Sequence, residues 1–262
     1  MSDEPAQPIT GLRPGDVGEY VFLCGDPARV DRIAAPWSDA RTVCEVREYR
    51  VSVGRHRGLR LTAASTGVGA PSAAVLIEEL AKLGAHTFIR VGNSGALAPS
   101  LELGELVIST GAVRDDGTST SYVPLGFPAF AHDAVVGALR AAAEARGVRW
   151  QAGVTWSLDA FYARNAVAGE AGAVEPMTFG GYRPPGLAER LSEWRAAGVL
   201  NMEMESGILF TLATLYGLRS GCICVVSDRT PWPGPAEIDF DQNMDACIAV
   251  ATDAMLALAG GG

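Results

Sequence analysis

Short runs of consecutive apolar residues alternate along this chain with longer stretches in which apolar residues recur every three or four positions. "YVFLC" (20–24), "LRLTAAS" (59–65), "TFIRVG" (87–92), "ELVISTGAV" (105–113), "AGVTWS" (152–157) and "GCICVVS" (221–227) predict buried strands. "PSAAVLIEELAKLG" (71–84), "AHDAVVGALRAAAEARG" (131–147), "GLAERLSEWRAAG" (186–198), "MEMESGILFTLATLYG" (202–217) and "FDQNMDACIAVATDAMLALAG" (240–260) carry helical spacing. Several of them end at glycine, which tolerates the left-handed turn that closes a helix. The alternation predicts an α/β fold, one domain over residues 1–262, with a largely buried mixed central sheet flanked by helices. Residues 163–186, rich in Gly, Ala and Pro, break the pattern and predict an irregular flap.

Composition narrows what such a domain can do. Hydrophobic residues make up 48% and charged residues 19% of 262 positions, enough apolar material for a sizeable core. The formal net charge is −9 with only 21 Lys and Arg, and no basic cluster follows a phosphate backbone, so nucleic acid is not an expected partner. An anion would have to be held by a few placed arginines against the overall field. Cys24, Cys44, Cys222, Cys224 and Cys247 are odd in number and sit in apolar surroundings, reading as buried thiols in a reducing compartment. Three dispersed histidines give a structural metal little support. The N-terminus has no apolar leader and no stretch approaches 18 apolar residues, so a cytoplasmic protein without a membrane partner is expected.

Five motifs could carry chemistry. "CGDPARV" (24–30) joins a strand to a helix and could direct backbone N–H groups and Arg29 at an anion, although Gly-Asp-Pro also serves as a plain helix-start turn. "RVGNSGA" (90–96) is a second glycine turn with an arginine at its mouth. Together they point to a divided phosphate site without P-loop or dinucleotide spacing. "STGVGAPSAA" (65–74) reads equally as close packing or as backbone open to a ligand. In "NMEMESGILFTL" (201–212), helical geometry would put Glu205 on the apolar face and Glu203 about 200° away. A buried Glu205 must then be neutral, paired, or waiting for donors such as two sugar hydroxyls. Glu203 reads as helix-start support. "VVSDRT" (225–230) ends a strand with Ser227, Asp228 and Arg229: either a proton-donating acid oriented by its arginine, or a turn with a surface ion pair.

Taken in order, "GDPARV", "STGVGAPS", "RVGNSGAL", "SLDAFY", "EWRAAGVLNMEMES" and "SDRT" resemble the nucleoside phosphorylase superfamily, most closely its uridine phosphorylase branch, over roughly residues 10–258. The resemblance implies a barrel-like sheet, a homo-oligomer (a dimer, or dimers assembled into a trimer), and phosphorolysis of a ribonucleoside to free base and ribose 1-phosphate. It implies inorganic phosphate as co-substrate, bound by Gly25, Arg29, Arg90 and Asn93, with Arg47 supplied by a neighbouring subunit. It further implies ribose contacts from Met204 and Glu205, a base site at Phe161, Asn165 and Ser227, and a monovalent cation such as K+ near Glu48, Val68 and Ser72.

The chain departs from the pattern in four respects. Ile9 stands where a neighbour-reaching histidine is expected, and Asn93 where the phosphate loop has Ser or Thr. Asn165 and Val167 replace the Gln and Arg that read uracil, leaving Arg183 of the flap as a substitute. Asp228 matches the acid of purine-cleaving relatives. A phosphorylase with an altered base preference is therefore expected: the overall resemblance favours a pyrimidine, Asp228 and the missing clamp favour a purine, and a modified nucleoside would reconcile the two. A nucleoside hydrolase and a non-catalytic nucleoside-binding protein are the alternatives.

Overall fold

The computed structural model describes residues 5–233, 239 and 241–260. In chain order the elements are β1 (Tyr20–Cys24), α1 (Pro27–Ala34), β2 (Ser38–Val46), β3 (Tyr49–His56), β4 (Leu59–Ser65), α2 (Ala70–Lys82), β5 (Thr87–Ala96), β6 (Leu106–Asp115), α3 (Gly117–Tyr122) and β7 (Ala129–Phe130). They continue with α4 (Asp133–Arg146), β8 (Trp150–Leu158), α5 (Phe161–Arg164), β9 (Ala166–Ala168), β10 (Val174–Pro176), α6 (Leu187–Ala196), β11 (Asn201–Glu203), α7 (Ser206–Tyr216), β12 (Arg219–Arg229) and α8 (Met244–Gly260).

Hydrogen bonding orders the main sheet β11-β8-β6-β12-β5-β1-β4-β3-β2, and β11 also pairs with β5. That second pairing closes β11, β8, β6, β12 and β5 into a five-stranded ring, so the sheet is mixed and barrel-like, as the resemblance implies. β1, β4, β5 and β12 run parallel, which brings Cys24, Ser65, Ala96 and Arg229 to one edge. Arg90 lies level with Leu23 and Cys222 on its two neighbouring strands. This edge, where strands give way to loops, is where open α/β sheets place their ligands.

The expected strands are present, and β5 and β12 run further than their apolar runs, to Ala96 and Arg229. Two differences bear on the site. β2 and β3 form an antiparallel hairpin that apolar patterning does not reveal, because β2 is exposed along most of its length. The stretch predicted as a helix over 202–217 is split: Asn201–Glu203 form β11 in the barrel wall, and α7 starts only at Ser206. A three-residue strand is too short to show a period of two, and the helical spacing of α7 masks it. α8 starts at Met244; position 240, the expected start, lies outside the described residues. The 163–186 flap is less irregular than expected, since β9 and β10 pair antiparallel within it.

α7 is buried from Ser206 to Ala213 and packs against α2, β6 and β12, while α8 packs chiefly on α4. The five cysteines are free and buried, with Cys222 and Cys224 Sγ atoms 3.6 Å apart on one face of β12. Burial pushes the Cys24 and Cys247 thiols up to about 12, so both remain protonated and inert. Among the described residues no helix is long and apolar enough to cross a membrane.

Gly221 of β12 passes directly beneath α4: a β-carbon there would lie 2.5 Å from Val135 Cγ1. Gly221→Ala should therefore destabilise the fold by about 1–3 kcal/mol through overpacking. Adding Val135→Ala should recover part of that loss, measured as non-additivity of urea midpoints in the double variant.

Candidate active site

The turn after β1 is set by Asp26, whose carboxylate accepts from Ala28 N–H at 2.9 Å and caps α1. Capping fixes the first turn of α1, and Arg29 leaves it toward β5. Its guanidinium donates to Asn93 Oδ1 at 2.5 Å and to the Val91 carbonyl at 3.4 Å. The two glycine turns are thus joined through one arginine. They open onto a cavity of about 750 Å³ whose walls include Gly25, Arg29, Arg90, Asn93, Met204, Glu205, Phe161, Asn165, Ser227 and Asp228. Its size suits a small-molecule ligand.

Arg90 forms the floor. It is buried, and its Nε donates to Glu203 Oε2 at 2.8 Å while Nη2 meets Glu205 Oε2 at 2.5 Å. These two carboxylates hold its pKa well above the ordinary arginine value against the effect of burial. Nη1 is buried with no hydrogen-bond partner, a costly orphan unless an anion occupies the cavity.

Helical geometry is not what places the two acids. Residues 202–205 are not helical, so Glu203 and Glu205 do not diverge by 200°; both are buried and both converge on Arg90. Glu203 does support the helix start: it accepts from Glu205 N–H at 2.8 Å, from Ser206 N–H at 3.0 Å and from Ser206 Oγ at 2.5 Å. Glu205 sits at the N-cap position of α7 without capping it. Its other oxygen accepts from Gly69 N–H at 2.5 Å. Burial raises its pKa, opposed chiefly by Arg90. The glycines of "STGVG" make this approach possible. Gly69 has φ +94°, and a β-carbon on Gly67, at φ +67°, would fall 2.8 Å from Glu48 Cγ.

At the opposite end of the cavity, Asp228 accepts from Ser227 Oγ at 2.9 Å and from Trp232 Nε1 at 3.0 Å. Burial raises its pKa, with these two hydrogen bonds as the opposing influence. Gly95 permits its position, since a β-carbon there would lie 2.8 Å from Asp228 Oδ2. Arg229 does not orient it. Its Nη2 donates instead to the Leu101 carbonyl at 2.6 Å. Phe161 packs edge-on against Trp232, with ring centroids 6.2 Å apart. Asn165 lines the cavity but its amide is engaged, donating to the Phe161 carbonyl at 3.1 Å and accepting from Thr230 Oγ1 at 2.6 Å. Arg183 does not substitute for a base clamp: it is exposed and tied to the Val174 carbonyl at 2.6 Å and to Glu175 at 2.9 Å within the flap.

The remaining candidates lie at the rim or beyond it. Arg47 is exposed at the β2–β3 turn with φ +57° and does not line the cavity. Glu48 accepts from Ser72 Oγ at 2.7 Å, and Val68 is exposed beside them. Ile9 is held by its backbone N–H on Glu79 at 2.9 Å and does not line the cavity either. Among the described residues no group of three or more His, Cys, Asp and Glu is arranged for a metal.

A family model described as "Phosphorylase superfamily" matches residues 19–259. The chain belongs to the phosphorylase superfamily. It is an enzyme of that superfamily and is similar over most of its length to curated members. It is 44% identical to a uridine phosphorylase of Thermococcus kodakarensis over 86% of this chain and 78% of that one. With a uridine phosphorylase of Haemophilus influenzae it shares 37% identity over 89% and 90%. With a guanosine phosphorylase of Halorubrum lacusprofundi it shares 34% over 96% and 99%.

Two contributors to this superfamily member's cavity escape sequence reasoning. Trp232 follows "SDRT" in a segment that reads as loop, and only the fold brings its indole to Asp228. The Gly69 N–H is a backbone donor that no side-chain pattern announces, although the paired glycines around Val68 were its available signal.

Replacing Arg90 with methionine should leave two buried carboxylates without their cation and cost about 3–5 kcal/mol near neutral pH. The pH dependence has a definite sign. The raised pKa of folded Glu205 means that its contribution to stability is present at low pH and lost as pH rises through that pKa. Removing Arg90 raises it further, so the deficit of Arg90→Met should shrink from pH 7.5 to pH 5. Urea denaturation of both proteins at the two values checks this.

Proposed function

We propose that this enzyme is a nucleoside phosphorylase, cleaving the N-glycosidic bond of a ribonucleoside with inorganic phosphate to release the base and ribose 1-phosphate. The observation that carries the reading is the buried Arg90, with Nη1 unpartnered and Glu205 beside it in the wall of the same cavity. Phosphate oxygens would take Nη1 of Arg90, the Arg29 guanidinium and the backbone at Gly25. The sugar would lie over Met204 with its hydroxyls on Glu205. As the glycosidic bond lengthens, positive charge grows on the sugar, and the Glu205 carboxylate and the incoming phosphate stabilise it from one face. A hydrolase has no use for a second cation, the half-buried Arg29, beside Arg90, which favours phosphate over water as nucleophile.

The leaving base must accept a proton or carry away negative charge. Asp228 is the acid at that end, and its raised pKa favours a carboxyl that can donate. With Asn165 engaged and Arg183 turned away, the base is met by Phe161 and Asp228, not by an amide-and-guanidinium clamp. This favours a base with a ring nitrogen basic enough to take that proton, as in a purine. The names of the similar uridine phosphorylases favour a pyrimidine as the second reading. The proposal includes a homo-oligomer in which the exposed Arg47 of one copy reaches the phosphate of another. It also includes work in the reducing cytoplasm, where the five thiols stay free, and K+ as the ion suited to Glu48, Ser72 and the chain at Val68.

Purine and pyrimidine ribonucleosides incubated with and without phosphate test the reading: base release should require phosphate, and its absence for every nucleoside would overturn the proposal. Asp228→Asn should lower kcat/KM for purine nucleosides by about 10²–10⁴ and leave any pyrimidine cleavage nearly unchanged. Because the protonated carboxyl is the active form, wild-type kcat/KM for purines should fall as pH rises through the Asp228 pKa. Asp228→Asn should lack that limb of the profile.

A further inference from the structure

One carboxylate oxygen stands between the two halves of the site. Glu203 Oε2 accepts from Arg90 Nε at 2.8 Å and from the Glu205 backbone N–H at 2.8 Å. The same atom therefore fixes the arginine proposed for phosphate and the residue proposed for ribose. The two ends it holds are also joined to each other, Nη2 of Arg90 to Oε2 of Glu205 at 2.5 Å. Glu203 is itself immobilised through its other oxygen by Ser206 N–H and Oγ.

This triangle has a thermodynamic consequence. In the empty site the Arg90–Glu205 contact uses an acceptor that a sugar hydroxyl needs and a donor that phosphate needs. Whichever ligand arrives first must loosen that contact, and the second then binds without repeating the cost. Phosphate, by giving Nη1 its missing acceptor and drawing on Nη2, turns the guanidinium about its Nε–Glu203 bond and frees Glu205 Oε2 for a hydroxyl. A nucleoside hydroxyl on Glu205 frees Nη2 for phosphate in the same way. The turn is productive only if Nε and the Glu205 backbone stay fixed.

We propose that Glu203 is a positioning residue that couples the phosphate and nucleoside sites, making the two substrates bind synergistically. Glu203, in the cavity wall, acts through Arg90 and Glu205. The proposal rests on the phosphorylase reading. Its test is separable, because loss of coupling is measured in protein that still releases base.

The measurement is the nucleoside Kd by calorimetry with and without sulfate, a non-reacting oxyanion standing in for phosphate. The wild type should bind its best nucleoside substrate about tenfold more tightly when saturated with sulfate, within the usual range of coupling. In Glu203→Gln the factor should fall below about threefold, since the amide offers one acceptor oxygen where the carboxylate offers two. In steady state the variant should show KM for one substrate no longer falling as the other is raised. Should Glu203→Gln fail to fold, Ser206→Ala loosens the same carboxylate from its far side and should reduce the factor too. A wild type without coupling, or a folded variant that keeps the full factor, overturns the proposal. If no nucleoside releases base with phosphate, the phosphorylase reading itself has failed.

Discussion

A guanidinium buried inside a protein has to be neutralised, and here both neutralising carboxylates come from one three-residue stretch, Glu203 to Glu205. Arg90 is placed mid-strand in β5, where the closed barrel leaves water little access, so an unpaired charge there would cost several kcal/mol. Glu203 and Glu205 meet that demand together only if the chain between them is not helical. Accordingly β11 ends at Glu203 and α7 waits until Ser206, with β11 paired to both β5 and β8. The loop carrying Gly69 is drawn in as well, since Glu205 has a second oxygen to satisfy. Barrel closure, helix start and glycine turn are thus answers to one electrostatic requirement.

What could be read in the sequence follows from the range over which each signal acts. Buried strands of β1, β4, β5, β6, β8 and β12 are visible because several consecutive side chains share one apolar environment. The glycine turns with Arg29 and Arg90 are visible because the motif is local. Glu203 is misplaced by a helical wheel because the wheel presumes a helix whose start is decided by Arg90, more than a hundred positions away in sequence. Arg229 is misplaced for a simpler reason: its guanidinium turns away from Asp228 to the Leu101 carbonyl, a contact no local pattern encodes. Trp232 and the engagement of Asn165 depend on the contact between residues 166–168 and 232, which no local pattern encodes.

Three of the acids that line the cavity show how one environment yields different carboxyls. Glu203 is surrounded by donors, from Arg90, two backbone N–H groups and a hydroxyl. Glu205 divides its oxygens between a cation and a backbone donor, and burial and its acidic neighbour raise its pKa. Asp228 has no cation within its hydrogen-bonding set, only a hydroxyl and an indole. Carboxyls held by such different partners can serve different ends of one site.

The two ends of the cavity also differ in what holds them. Arg90 and Glu203 stand on barrel strands, and Glu205 follows directly, so shifting any of them would require the barrel wall to move. Phe161 and Asn165 stand on or just after a four-residue helix, and Trp232 lies beyond the end of β12; they are joined by the Ala168 N–H to Trp232 carbonyl and Trp232 N–H to Ala166 carbonyl bonds. Substitutions there alter the shape facing a base while leaving the Arg90 triangle untouched. A scaffold divided in this way could change which base it accepts without disturbing the groups proposed for phosphate and sugar. Asp228 is the exception that joins the two, because it sits on β12, beside the β5 strand that carries Arg90.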